Sequence, residues 1–193
     1  MSVVPLVIIQ ARLTSARLEE KMLLQLSGET LVARAWRLAG EAFGAENCVV
    51  AIPAHDHTGP LGHELRRIKA TVFAWDGDES DVLGRFWFCA HRYRWHPGSI
   101  IVRWTPDDWN KSTVLCRRVV FHGERWPVEQ SCEAFTLSML DRANETYRDD
   151  EYRREHITYA IFGAHTPPQC PPGMWTIDDH DQYRAARLMV EGN

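Results

Sequence analysis

The chain has no C-x-x-C pair, and its five cysteines (Cys48, Cys89, Cys116, Cys132 and Cys170) are odd in number. A closed disulfide framework and the common zinc spacings are therefore excluded. NCVVAI and FWFCA place two of the cysteines in apolar surroundings, as expected of buried free thiols in a reducing compartment such as the cytoplasm. No apolar run approaches ~18 residues, so no membrane-spanning helix is expected. The opening VVPLVII lacks a basic n-region and runs straight into the polar QARLTSAR, unlike a secretory signal. Basic charge is not in surplus either. Lys+Arg 22 against Asp+Glu 26 gives a net charge of −4, which argues against a dedicated nucleic-acid binder while leaving room for a local basic pocket. Internal repeats, low-complexity tracts and domain linkers are also missing.

What remains is an ordinary globular composition. The 193 residues, 45% of them hydrophobic, suit one domain over 1–193 with a full core. Eight tryptophans are many for this length. Trp87, Trp95, Trp104, Trp109 and Trp126 crowd the middle, where most are expected in the core and a few on a partner surface.

The first half alternates strand and helix. Val3–Gln10 is a continuous apolar run, as in a strand buried on both faces. Thr30–Phe43 puts Leu31, Ala35, Leu38 and Ala42 on one helical face. Asn47–Ile52 reads as a strand ended by Pro53, Pro60–Ile68 as a short helix with proline in its first turn, and Thr71–Trp75 as a strand. Asp81–Tyr93 reads as a helix capped by Ser80, and Ser99–Trp104 as the next strand. This order predicts a parallel sheet with right-handed crossovers. Further on, Thr113–Phe121 fits both helix and strand periods. Phe135–Tyr147 and Arg153–Phe162 read as helices, HTPPQCPPG as a loop, Met174–Ile177 as a short strand and Asp181–Glu191 as a closing helix.

In open α/β sheets, ligands bind beyond the carboxyl ends of the strands. The loop after the first strand reads QARLTSARLEEK, with Arg12, Arg17 and Lys21 around Thr14 and Ser15. Three cations and two hydroxyls suit a triphosphate, because arginine offers a planar fork of donors and lysine a point charge. An ordinary solvated loop is the plain alternative.

These residues resemble the cytidylyltransferase family that activates acidic sugars, of the acylneuraminate and 3-deoxy-manno-octulosonate type, and more closely its spore-coat polysaccharide branch. That branch opens with a strand and Q-A-R-x-x-S-x-R-L-P-G-K-x-L. Gln10, Ala11, Arg12, Ser15, Arg17, Leu18, Lys21 and Leu23 match. In order along the chain, VVAIP (Val49–Pro53), DVLGRF (Asp81–Phe86), IVRWTPDD (Ile101–Asp108), REHIT (Arg154–Thr158) and WTIDDHDQYRAAR (Trp175–Arg187) also match. The resemblance implies a three-layer α/β/α sandwich with a mostly parallel sheet, the nucleotide-diphospho-sugar transferase (glycosyltransferase-A-like) fold. It implies transfer of CMP from CTP to an acidic sugar or similar acceptor, release of pyrophosphate, and Mg²⁺ as cofactor.

By the same resemblance Gln10, Arg12, Ser15, Arg17, Lys21, Asp81 and Arg85 bind the nucleotide, and Arg12, Lys21 and Asp107 are catalytic. Asp107 and Asp178 hold the metal, and Arg154, Glu155 and His156 lie on the acceptor side. CTP and a small sugar-acid-like acceptor are the partners, with neither nucleic acid nor membrane, and a homodimer is allowed. Taken alone, Asp107 reads equally as a turn carboxylate, Asp178 as a helix cap, and Asp81 with Arg85 as a surface pair at i,i+4. The match departs at Glu19-Glu20, where the family has Pro-Gly, and at Pro106-Asp107-Asp108-Trp109, where it has G-D-C-P. The stretch from Asp107 to Glu133 is also shorter than the family's, and WPVEQSCEAF keeps only Glu133 and Phe135 of its G-L-D-V-E-V-F. These departures and the tryptophan-rich middle define the competing expectation: a relative that has lost catalysis and acts as a nucleotide-binding or assembly protein.

Overall fold

A computed structural model describes residues 4–15, 17–94, 96–163, 170 and 175–192. The apolar strand β1 (Leu6–Gln10) lies at the centre of a five-stranded sheet. Its neighbours are β4 (Cys48–Pro53) on one side and β6 (Ile100–Trp104) on the other, both parallel, with Val7 opposite Cys48 and Val102. Beyond them lie β5 (Val72–Trp75), parallel, and β7 (Glu133–Thr136), antiparallel, giving the order β5-β4-β1-β6-β7. The short strands β2 (Gln25–Leu26) and β3 (Glu29–Thr30) pair as a separate hairpin.

Successive side chains of a strand point to opposite faces, so an all-apolar strand needs cover on both. On one face Val7, Ile9, Val50, Ile52, Val102 and Trp104 pack beneath helices α1 (Leu31–Phe43), α2 (Pro60–Arg67) and α4 (Thr113–His122). On the other, Leu6, Ile8, Val49, Ala51, Ile101 and Phe135 meet α3 (Val82–Tyr93), α5 (Leu137–Thr146) and α7 (Ile157–Phe162). Each fully buried leucine, isoleucine or phenylalanine contributes roughly 1.5–3 kcal/mol. A third cluster of Leu18, Leu26, Leu31, Trp109, Ile177 and Ala186 ties the hairpin and the last helix, α8 (His180–Glu191), to the carboxyl edge of the sheet.

Several expectations are revised. Asp81, rather than Ser80, caps α3, accepting from Gly84 N–H at 2.8 Å, while Ser80 hydroxyl donates to Asp78. The ambiguous Thr113–Phe121 is helical, with Ser112 accepting from Leu115 N–H at its start. Phe135 does not begin a helix. It sits in β7 opposite Ile101, and Thr136 then caps α5. Burial against the sheet outweighs local helical period there. Arg153–Phe162 breaks at His156 into α6 (Glu151–Glu155) and α7. Trp175–Ile177 forms no strand, and Ile177 N–H donates instead to Asp107 carbonyl at 2.9 Å. Met174, Val3, Trp95 and, apart from Cys170, the run HTPPQCPPG lie outside the described residues.

The cysteines are free. Four are buried, and burial pushes the Cys48 thiol up to about 12. Trp104 and Trp109 are core residues, and Trp87 is partly buried with its indole N–H on Asp141.

Candidate functional site

The loop leaving β1 crosses the carboxyl edge of the sheet and turns back at Glu20, whose backbone is left-handed (φ 48°, ψ 30°). Where the related motif has glycine, this chain keeps glycine's backbone conformation with a carboxylate side chain. The turn opens the short 3-10 helix Lys21–Leu23, with Met22 buried, so the Lys21 backbone is anchored in the core. Ser15 hydroxyl accepts from Leu18 N–H at 3.4 Å and shapes the loop. Thr14 hydroxyl bonds Glu79.

Two other segments meet this loop. After β6 the chain places Asp107, and before α8 it places Asp178. Ile177 N–H on the Asp107 carbonyl joins the two segments. Asp108 strengthens the joint, accepting from the Thr176 hydroxyl at 2.8 Å, from Lys111 Nζ at 2.8 Å, and from Thr105. The Lys111 side chain is 0% exposed, so this is a buried, satisfied ion pair. Trp109 turns into the third core cluster and Arg34 donates to its carbonyl at 2.7 Å. Asp179 caps α8, which leaves the Asp178 side chain free of that duty.

Lys21 closes the arrangement. Its Nζ lies 3.0 Å from Asp107 Oδ2 and 3.2 Å from Asp178 Oδ1. Arg17, largely exposed, adds a 3.3 Å contact to the same Asp178 oxygen. Around them lies a polar pocket of about 320 Å³ lined by Gln10, Arg12, Thr14, Ser15, Arg17 and Lys21 on one side and Arg103, Thr105, Pro106, Asp107 and Asp178 on the other. Glu19 and Glu20 are exposed and do not line it, so the two carboxylates that replace Pro-Gly leave the pocket clear.

A second pocket of about 180 Å³ shares Gln10, Arg12 and Arg103 with the first and is walled by Val82, Glu155, His156, Thr158 and Tyr159. Arg12 stands between the two. Its ion pairs, 3.8 Å to Glu79 and 3.6 Å to Glu155, are longer than hydrogen bonds, so its donors remain available. Arg103 is held by Glu133 at 2.5 Å and reaches Gln10 Oε1 at 3.3 Å, and Thr158 hydroxyl also donates to Glu133 at 3.1 Å. A larger, apolar-walled pocket of about 410 Å³, with Trp126 and Phe162, opens at the β7 edge. It has none of the loop cations, and the convergent charged groups locate the site better than volume does.

Gln10, Arg12, Ser15, Arg17, Lys21, Asp107 and Asp178 thus come together in the polar pocket of about 320 Å³, with Glu155 and His156 in the adjoining one of about 180 Å³. Asp81, Arg85 and Arg154 line neither. Arg154 Nη2 donates to Asp81 at 2.8 Å and to Asn144 at 3.3 Å, clamping α6 to the start of α3. Arg85 is 0% exposed, and none of its three guanidinium nitrogens has a hydrogen-bond partner among the described residues. Burial, and then the neighbouring charge of Arg12, lowers its pKa from 12.5 to about 10. Arg103, Glu79 and Tyr159 were not singled out from sequence. Arg103 carried a signal, being a charge inside an apolar strand.

Among the described residues no group of three or more His, Cys, Asp or Glu offers a ready-made metal site. Magnesium does not need one. It is held by one or two carboxylates together with phosphate and water oxygens. Asp107 and Asp178 supply two hard oxygens gathered around one positive charge, which fits that ion.

A three-layer sandwich whose parallel strands end on a cationic loop facing paired carboxylates has the nucleotidyltransferase architecture. Solved structures agree on this fold. A cytidylyltransferase from Leptospira borgpetersenii superposes with a TM-score of 0.79 at 20% identity, covering 100% of this chain and 88% of that one. A CMP:2-keto-3-deoxy-manno-octonic acid synthetase complexed with CTP gives 0.70 at 11% identity, covering 98% and 99%. The chain belongs to the cytidylyltransferase family, whose model matches residues 6–108. An uncharacterized protein of Methanocaldococcus jannaschii is 27% identical over 165 residues, 80% of this chain and 65% of that protein. A 3-deoxy-manno-octulosonate cytidylyltransferase of Chlorobium phaeovibrioides is 50% identical over 50 residues, 26% of this chain and 20% of that enzyme. The chain therefore spans less than two thirds of the length of either relative.

Proposed function

We propose that residues 1–193 act as one cytidylyltransferase unit that moves CMP from CTP onto a hydroxyl of a small, sugar-acid-like acceptor in the cytoplasm. The observation that carries this reading is Lys21 held between Asp107 and Asp178 in a pocket whose lining includes Arg12, Arg17, Thr14 and Ser15. Such a site gathers phosphates and places a cation beside them, which is most of what phosphoryl transfer asks of a protein. Arg12 and Lys21 bind the phosphates, with Gln10, Ser15 and Arg17 completing the loop. Asp81 and Arg85 stand behind the pocket wall and do not line it, Asp81 holding Arg154 and Arg85 lying near enough to Arg12 to be repelled by it. Asp107 and Asp178 hold Mg²⁺, which when bound neutralises phosphate charge.

Arg12 faces both pockets and is placed to hold donor phosphate and acceptor carboxylate side by side. Glu155 and His156, with Tyr159, flank the acceptor, and Arg154 fixes their helix through Asp81. The acceptor oxygen bonds to the α-phosphorus as the bond from that phosphorus to the β-phosphate's bridging oxygen breaks. The hydroxyl proton is released and pyrophosphate leaves. The exposed positions of Glu19 and Glu20 and the core position of Trp109 support this reading over a relative that only binds nucleotide.

Calorimetric titration with each nucleoside triphosphate, with and without Mg²⁺, tests it, followed by pyrophosphate release from CTP over a panel of sugar acids. CTP binds more tightly than ATP or GTP, and Arg12→Ala weakens it by ~1.5–3 kcal/mol, the range for charged hydrogen bonds. Equal or tighter purine binding overturns the cytidylyl assignment. Tight CTP binding with no turnover on any acceptor favours the binding protein.

A further inference from the structure

We infer that Lys21 is the resident cation of the Asp107–Asp178 pair, and that it keeps divalent metal out of the site until nucleotide phosphates draw its ammonium away. The inference rests on the reading of this pocket as a nucleotide site. It adds an order of events and assigns Lys21 a role in setting it.

The geometry is that of an occupied cation site. One ammonium, on a side chain only 11% exposed, lies within hydrogen-bonding distance of both carboxylates, at 3.0 and 3.2 Å. The two acids come from segments that meet only through the tertiary fold, joined by Ile177 N–H on the Asp107 carbonyl. Two like charges brought together need a counter-charge, and Lys21 supplies it from the loop. Arg17 adds a second positive charge at 3.3 Å from the same Asp178 oxygen. Two carboxylates against an ammonium and a guanidinium are already balanced. A divalent ion entering this pair meets like charge at contact distance and finds its oxygen ligands engaged.

A triphosphate reverses the balance. Its oxygens offer Lys21 new acceptors in the same pocket, lined also by Arg12, Thr14 and Ser15. The Lys21 backbone is anchored beside buried Met22, so only the flexible four-carbon stem has to swing. Once the ammonium has moved to phosphate, the carboxylates are free for an ion that wants oxygens at about 2.0–2.1 Å. Metal and nucleotide then favour each other's binding by the same factor, as linkage requires.

Mn²⁺ serves as the probe, its free fraction read by electron paramagnetic resonance and its affinity by calorimetry. For the wild-type protein, saturating CTP tightens Mn²⁺ binding at least tenfold beyond what CTP alone binds in solution. Without nucleotide, Lys21→Met binds Mn²⁺ at least tenfold more tightly than wild type, a gain that loss of a merely structural lysine would not produce. Asp107→Asn in the same chain removes the gain, and Lys21→Arg, which keeps the charge, does not show it. Should the bare carboxylate pair unfold Lys21→Met, the wild-type comparison with and without CTP decides alone. Wild-type Mn²⁺ affinity unaffected by CTP, or a folded Lys21→Met no tighter than wild type while CTP still binds, overturns the inference and leaves the proposed function standing. Absence of any nucleotide binding to the wild-type protein overturns both.

Discussion

Replacing Arg85 with methionine should make this protein more stable. Arg85, the fourth residue of α3, is 0% exposed with no hydrogen-bond partner among the described residues, and the charges that act on it are Arg12, Glu79, Asp56 and Asp81. Its pKa falls from 12.5 to about 10, chiefly through burial. The sign is that of a cation disfavoured by folding. The folded state binds this proton less tightly than the unfolded chain, so the penalty is complete below pH 10 and fades as pH rises from there toward 12.5. At about 1.4 kcal/mol per tenfold change, the ionised guanidinium costs the fold ~3 kcal/mol at neutral pH. Methionine fills similar length without charge, and exchanges of this kind are neutral or stabilising by ~1–4 kcal/mol. Urea unfolding at pH 7 should show Arg85→Met more stable than wild type, with the gap narrowing only above about pH 10. A variant less stable than wild type at pH 7, or a gap that widens with pH, would refute the reasoning.

Two further substitutions probe the scaffold. Glu20 holds a left-handed backbone at φ 48°, which costs a non-glycine residue ~1–2 kcal/mol, so Glu20→Gly should raise stability by ~1 kcal/mol and the melting temperature by ~2–4 °C. A lower melting temperature in differential scanning calorimetry would show that Glu20 makes a compensating contact. Asp108→Asn leaves the buried Lys111 ammonium with the Val128 carbonyl but without its counter-charge and should cost ~3 kcal/mol, with Lys111→Met in the same chain recovering much of it. Unchanged thermal unfolding in the single variant would mean that this knot does not hold the loop after β6.

The layered sheet was legible because the strands β1, β4 and β6 are apolar at every position but Gln10 and Arg103, which in a chain of this length demands cover on both faces. The loop from Gln10 to Lys21 was legible because three cations and two hydroxyls on one turn have few other uses. What escaped did so for physical reasons. Glu133–Thr136 is too short to show a strand period, and its pairing with Ile100–Arg103 depends on residues ~30 positions away. The choice of Asp81 over Ser80 as cap follows from Arg154, which holds the other carboxylate oxygen from 73 residues downstream. The core position of Trp109 could not be read locally, because its partners Ile177 and Ala186 lie in the stretch before α8 and in α8 itself, whose docking no local pattern announces. Asp107 and Asp178 were legible only through resemblance. Each alone is an ordinary carboxylate near the end of an element, and their meeting on Lys21 is tertiary.

That meeting spans 157 positions, from Lys21 to Asp178. A ribosome adding ~5–20 residues per second makes the second partner roughly 8–30 s after the first. In the later part of that interval, after residue 107, the loop, the sheet's central strands and Asp107 exist while α8 does not. Any fragment ending before Asp178 carries the phosphate loop without its closing carboxylate. Such a chain can meet anions before it can position a metal, so synthesis of the Asp178 segment, and not folding of the sheet, times the appearance of a competent site.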